Sequence, residues 1–229
     1  MKYIKLFESF SDIDWAKFSQ ELTTQMRSSD LDYDFSTDDF YNDIEKYQDE
    51  KWYEDNWKEQ FIKIGGRKSF KGFTSEARQL WLLKKIADKL GAPVKMCDMG
   101  CGIGLVVKYC QLMGMDAMGV EYQREEYEKI HKELGIKVKY GNFFSMNLNF
   151  LKQMDIIYLY QPVHSKKTSF KLLDLISKNT KQDVVIVWSG MWNSIYQELL
   201  NSDEFSVWGI QRNYNDSVMA VITKIQENA

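Results

Sequence analysis

Histidine and cysteine are scarce in this sequence, with two and three copies among 229 residues. Cys97, Cys101 and Cys110 crowd into one stretch without C-x-x-C spacing. Neither a zinc site nor a disulfide framework follows from them, and they read as small buried thiols of a reducing compartment. His131 and His164 lie far apart and offer no ligand pair, so no metal is expected. No run approaches the roughly 18 apolar residues that a membrane span needs, and the opening ten residues lack the apolar core of a secretory signal. A cytoplasmic protein without a membrane partner is the expectation. An excess of positive charge is missing too: the net charge is −3 and the pI about 5.6, which speaks against a general nucleic-acid binder but leaves room for a local basic patch.

What is present suits a packed domain. Hydrophobic residues make up 44% and aromatic ones 14%, enough for a core, while 28% charged residues and a mean hydropathy of −0.45 give a wet surface. The length fits one domain with an extension, since domains usually hold roughly 100–200 residues. The extension has its own character. Between 28 and 60 stand twelve acids against three lysines, a net −9 that leaves +6 for the rest. With Trp52 and Trp57 interleaved, this region is either a solvated face with an aromatic underside or a lid or docking face for a basic partner; its sign does not suit phosphates. Lys63, Arg67, Lys68 and Lys71 form a basic knot around Gly65-Gly66.

The organising stretch is 94–107, V-K-M-C-D-M-G-C-G-I-G-L-V-V. An apolar run ends in Asp98, meets Gly100, Gly102 and Gly104, and passes into a helical pattern. Glycine at that spacing permits positive φ and a close approach to the main chain, and the helix start adds unpaired N–H groups. A dinucleotide fingerprint G-x-G-x-x-G would need glycine at 105 or 107, where Leu105 and Val107 stand. No G-K-[ST] follows that would make a phosphate loop.

The pattern D-x-G-x-G-x-G resembles the first motif of the class I S-adenosylmethionine (SAM)-dependent methyltransferases. The alternative is a glycine-rich turn in another α/β protein. The resemblance implies a Rossmann-like α/β fold, a mostly parallel sheet ending in an antiparallel hairpin, with a helical extension at 1–72 and the SAM-binding domain at 73–229. It implies SAM as cofactor, held by Asp98, Gly100, Cys101, Gly102 and Gly104.

The order of patterns agrees. Strand-like runs at 116–121, 136–140, 155–160 and 183–188 alternate with helical ones at 104–113, 124–134 and 165–179, which gives a parallel sheet with ligands at the carboxyl ends of its strands. Runs at 205–211 and 218–225 flank Asn213-Tyr214-Asn215-Asp216, a hairpin signal. Upstream, Ser11 is an expected cap for a helix carrying Ile13, Phe18, Leu22 and Met26. Thr74 or Ser75 is one for a helix carrying Leu80, Trp81, Leu83, Ile86, Ala87 and Leu90, closed by Gly91 and Pro93.

Glu121 ends the second strand, where an acid can accept both ribose hydroxyls; Tyr122 follows it. In the resembled family a short polar residue after the third strand meets adenine and an apolar neighbour covers the ring, which Asn142 and Phe143 match. The segment ahead of the first strand often folds over the methionine end there, adding Phe73, Thr74 and Arg78. The fourth strand delivers Tyr160, Gln161 and Pro162, the expected catalytic group, with Tyr160 also lining the cofactor and His164 beyond. Enzymes of the family that methylate nucleic-acid bases carry [Asp/Asn/Ser]-Pro-Pro-[aromatic] at this point. Gln161-Pro162-Val163 departs from it and looks more like a group that includes lysine methyltransferases. A protein lysine or a small molecule is therefore the favoured acceptor, its identity and the oligomeric state remaining open. The alternative is a SAM-binding module without activity.

The opening M-K-Y-I-K-L-F-E-S-F resembles the short N-termini, with a Phe-Glu-x-Phe core, of proteins from large T4-like tailed phages. Similar segments there direct packaging into the virion and are clipped after a Glu. The resemblance implies a phage protein acting in the host cytoplasm or packaged; the alternative is an ordinary amphipathic lead-in.

Overall fold

The computed structural model describes residues 13–28, 73–91, 93–163, 165–212 and 217–225. The acidic stretch, the basic knot, the phage-like opening, Ser11 and His164 lie outside them, as do the side chains of Phe73, Thr74 and Arg78.

The described chain runs α1 (Trp15–Ser28), α2 (Phe73–Leu90), β1 (Lys95–Met99), α3 (Leu105–Leu112), β2 (Asp116–Glu121), α4 (Arg124–Leu134) and β3 (Lys137–Tyr140). A 3₁₀ turn at Asn149–Gln153 follows, then β4 (Ile156–Tyr160), α5 (Lys166–Asn179), β5 (Val185–Trp192), α6 (Asn193–Leu199), β6 (Phe205–Arg212) and β7 (Ser217–Lys224). The seven strands form one sheet in the order β3-β2-β1-β4-β5-β7-β6. The pairs among β1 to β5 are parallel, and β7 enters antiparallel between β5 and β6. This is the Rossmann-like sheet with a closing hairpin that the sequence predicts.

The strands are apolar on both faces because helices cover both. On one face Met96, Ala117, Ile156, Tyr158, Val185 and Val221 meet α1, α2 and α3 in a single buried cluster. On the other, Cys97, Val120, Ile157, Leu159, Ile186 and Ile222 meet α5, α6 and the 3₁₀ turn. A buried hydrogen bond from the Tyr158 hydroxyl to Gln79 Oε1 ties α2 to β4. Ser165 caps α5 by accepting from the Thr168 N–H at 3.1 Å.

Several boundaries differ from the sequence reading. Asp14 caps α1, its Oδ1 accepting from Lys17 N–H at 3.0 Å, and α2 begins at Phe73, ahead of both expected caps. The fifth strand does not stop at Trp188. It continues to Trp192 through a bulge between Trp188 and Met191, because Gly190 adopts φ +70° and lets the strand absorb an extra residue. The short helix α6 and the 3₁₀ turn lie in stretches the pattern left blank. Helix α1 rests against β6, with Trp15 stacked on Trp208 at 6.4 Å between centroids.

Candidate active site

The glycine loop leaves β1 at its carboxyl end and enters α3. Gly100, Gly102 and Gly104 adopt φ of +92°, +52° and +86°, which L side chains rarely take. Gly100 and Cys101 N–H groups donate to the Val120 carbonyl at 2.8 and 3.1 Å, pinning the loop to β2. The three glycines are required for different reasons. A Cβ at Gly104 would strike Ile136 Cδ1, and one at Gly100 would sit 3.7 Å from Phe143 Cζ and 3.8 Å from Pro162 Cβ. At Gly102 it would meet no atom of the described residues within 4 Å. The bare carbon there faces open space at the carboxyl edge of the sheet.

The polar atoms of Gly102 are spoken for. Its N–H donates to Glu121 Oε2 at 2.8 Å, and its carbonyl lies 2.7 Å from His131 Nε2. Glu121 is buried at the end of β2; its other oxygen accepts from the N–H groups of Tyr122 at 2.7 Å and Gln123 at 2.9 Å. A carboxylate offers about four lone-pair directions, so one remains after these three bonds. Asp98, next to last in β1, is buried as well.

Cys101 is packed in the loop with its sulfur against Gly119 of β2, where any Cβ would collide with it. Burial, with the charges of Asp98 and then Glu121, pushes its thiol far up, so it is a filler and not a nucleophile.

The other expected residues gather on the same edge. Phe143 and Pro162 both approach Gly100, joining the ends of β1, β3 and β4. Asn142 is exposed, and its Oδ1 accepts from the Phe144 N–H at 2.9 Å in a local turn, which leaves its amide NH2 turned outward. Tyr122 and Tyr160 are 71% and 50% exposed, with Trp192 at 39% beyond β5. Thr74 has its backbone in α2, and its side chain lies outside the described residues.

Gln161 has φ +43°, the one described non-glycine residue at positive φ. Its N–H donates to the Ser189 carbonyl at 3.4 Å, and its side chain lies over the bulge, where a Cβ at Gly190 would sit 2.9 Å from Gln161 Cγ and 3.0 Å from Nε2. The strained residue that follows β4 and the bulge of β5 thus interlock. Strain of this kind costs about 1–3 kcal/mol and persists where the surroundings enforce it.

Reading the sequence missed His131. It is buried on α4, stacked between Tyr127 and Tyr140 at 6.0 and 5.7 Å, with Nδ1 2.7 Å from the Tyr140 hydroxyl. Burial lowers its pKa below the ordinary histidine value against the opposing effects of the Gly102 carbonyl and the Glu121 charge. The signal was there in the spacing, since Tyr127 and His131 share the inner stripe of α4 with Ile130 and Leu134.

Strand order, closing hairpin and helices on both faces define the Rossmann-like methyltransferase fold. The sequence matches no family model and no curated protein, so the likeness lies in structure. A ribosomal protein L11 methylase from Lactobacillus delbrueckii subsp. bulgaricus superposes with a TM-score of 0.51 at 14% identity, over 67% of this chain and 80% of that one. The cofactor-bound protein Rv0187 from MTB superposes with a TM-score of 0.50 at 14% identity, over 66% and 81%. At such identities the comparison shows the fold.

Proposed function

We propose that this protein is a SAM-dependent methyltransferase acting on a protein lysine or a small molecule. The observation that carries the reading is Gly102: none of the described residues fills the space its missing side chain would take, its N–H and carbonyl are both held, and an acid stands beside it. That is a cradle for a ligand which lies flat on the main chain and carries hydroxyls, and the residues present fit SAM. When bound, SAM supplies a methyl group on a sulfonium, already a good leaving group.

The chain's own task is then mostly positioning. Glu121 directs its remaining lone pair at the ribose hydroxyls, as Asp98, Gly100, Cys101 and Gly104 shape the loop behind it. Phe143 and Tyr122 flank the adenine, with the Asn142 NH2 available as a donor to a ring nitrogen. Tyr160 turns an aromatic face, which attracts cations, toward the acceptor side. The Gln161 carboxamide, held in one place by the Gly190 bulge, offers a donor and an acceptor to orient the incoming nucleophile, and Pro162 keeps the turn rigid against Gly100. Orientation alone can supply roughly 7–11 kcal/mol of a barrier, so no dedicated catalytic base is required for an acceptor that arrives neutral. Isothermal calorimetry with SAM, S-adenosylhomocysteine (SAH) and NAD, followed by labelled-methyl transfer onto fractionated protein, RNA and small molecules, tests the reading. Uptake of SAM and label in protein or small-molecule fractions is the expected result; binding of NAD in its place overturns it.

A further inference from the structure

We propose that His131 and Tyr140 are positioning residues for the cofactor, a two-step hydrogen-bond chain that fixes the Gly102 peptide before any ligand arrives. The inference rests on the SAM-binding reading above. A carbonyl oxygen can only accept, so the 2.7 Å contact with Gly102 requires the proton on His131 Nε2. Burial keeps the ring neutral, so Nδ1 is an acceptor, and the Tyr140 hydroxyl 2.7 Å away is its donor. Burial, reinforced by the Glu128 charge, raises the phenol's pKa and keeps that proton in place. The tautomer is therefore dictated from β3 and read out at the glycine loop.

The chain joins three segments that the proposed function places around one ligand. Tyr140 ends β3, immediately before Gly141, whose N–H donates to the Glu121 carbonyl at 2.9 Å; Glu121 in turn holds the Gly102 N–H. Gly102 is thus gripped at its N–H by the acid of β2 and at its carbonyl by His131 of α4, one hold on each of the two peptide units that flank its bare Cα. The groups facing the imidazole are Glu121 from β2, Tyr127 from its own helix and Tyr140 from β3. The Arg124 guanidinium lies 5.4 Å from the Tyr140 ring centroid and is paired with Glu128 at 3.0 Å.

Packing alone does not account for this arrangement. The cluster around α4 is otherwise apolar, built from Ile103, Tyr127, Ile130, Leu134 and Ile136, and an apolar side chain of similar shape would fill the site without the cost of burying a polar ring. What an apolar residue would not do is set the angle of the Gly102 peptide, and with it the direction in which the bare Cα faces the ligand. Without the Tyr140 hydroxyl, the proton can move to Nδ1, and the Nε2 lone pair then confronts the Gly102 carbonyl.

The experiment compares SAH binding by calorimetry in the full chain and its variants. Tyr140→Phe removes one oxygen at a half-buried position and should weaken SAH by roughly 3- to 10-fold with little change in melting temperature. In ¹⁵N imidazole spectra, wild-type His131 should carry its proton on Nε2, and Tyr140→Phe should shift it toward a tautomer mixture. His131→Gln, which keeps an amide donor near the Nε2 position, should bind SAH more tightly than His131→Leu. Wild type that binds SAH while Tyr140→Phe binds it equally overturns the inference, as does a proton on Nδ1 in the wild type. Wild type that takes up neither SAM nor SAH overturns the function reading and this inference with it, an outcome distinct from the other two.

Discussion

Gly102→Ala separates a loop that is merely a turn from one that holds a ligand. A left-handed conformation costs a residue with a Cβ about 1–2 kcal/mol, and Gly102 sits at φ +52° with no atom of the described residues within 4 Å of the added methyl. The fold should therefore lose only that strain, a melting-temperature drop of about 2–8 °C for a domain of this size. Gly114 is the matched control. Its φ is +87°, its Cβ would also meet none of the described residues within 4 Å, and it lies in the turn after α3, at the opposite edge of the sheet from the loop. Both alanine variants should melt alike, yet only Gly102→Ala should lose SAM. Forcing an extra methyl into a filled contact costs about 1–3 kcal/mol, which corresponds to roughly 5- to 150-fold in Kd, and Gly102→Val should abolish binding. Calorimetry beside thermal melts reads both quantities. Equal SAM affinity in wild type, Gly102→Ala and Gly114→Ala would refute the reasoning, since the open space at Gly102 would then belong to no ligand.

Glu121→Ala leaves three backbone N–H groups without their carboxylate, and because hydrogen bonds to charged groups are worth about 1.5–3 kcal/mol it should weaken SAM by roughly 10- to 150-fold; unchanged calorimetry removes Glu121 from the site. Tyr160→Ala and Gln161→Ala should lower turnover at least about tenfold while SAM affinity moves far less, because orientation is lost and the anchors of the nucleoside remain. Normal turnover in both would put the acceptor elsewhere. Since His131 has a lowered pKa in the fold, the unfolded chain binds the proton first as pH falls, so the contribution of the neutral ring is complete above about pH 6.5 and declines below it. Urea melts from pH 7 to 5 should show a steeper loss of stability in wild type than in His131→Gln, and parallel slopes would contradict the neutral buried ring.

Much of this site could be read from one dimension because its chemistry is local. The glycine spacing, Glu121 at a strand end and the Pro162 turn are each contained in a few residues, and strand polarity alone brings them to one edge. The sheet was legible for the same reason, alternating runs implying crossovers. What escaped depended on distant partners. The extension of β5 to Trp192 rests on Gly190 taking a positive φ beneath the Gln161 side chain, a contact between neighbouring strands. The role of His131 needs Gly102 and Tyr140 brought to it by three separate elements. Asp14 caps α1, and propensity alone does not rank it above other good cap residues a few positions away.

The stacking of Trp15 on Trp208 has a bearing on how the chain comes to be made. Helix α1 leaves the ribosome well ahead of β6, the strand that covers its apolar side. At translation speeds of about 5–20 residues per second, that side waits roughly 10–40 s for its cover. For that interval Ile13, Trp15 and Leu22 have no sheet to rest on, although they are buried in the finished molecule. A nascent chain halted before β6 should therefore expose an aromatic, chaperone-binding helix that synthesis of the hairpin conceals, and the closing hairpin serves as the clasp on this earlier-made helix as well as the edge of the sheet.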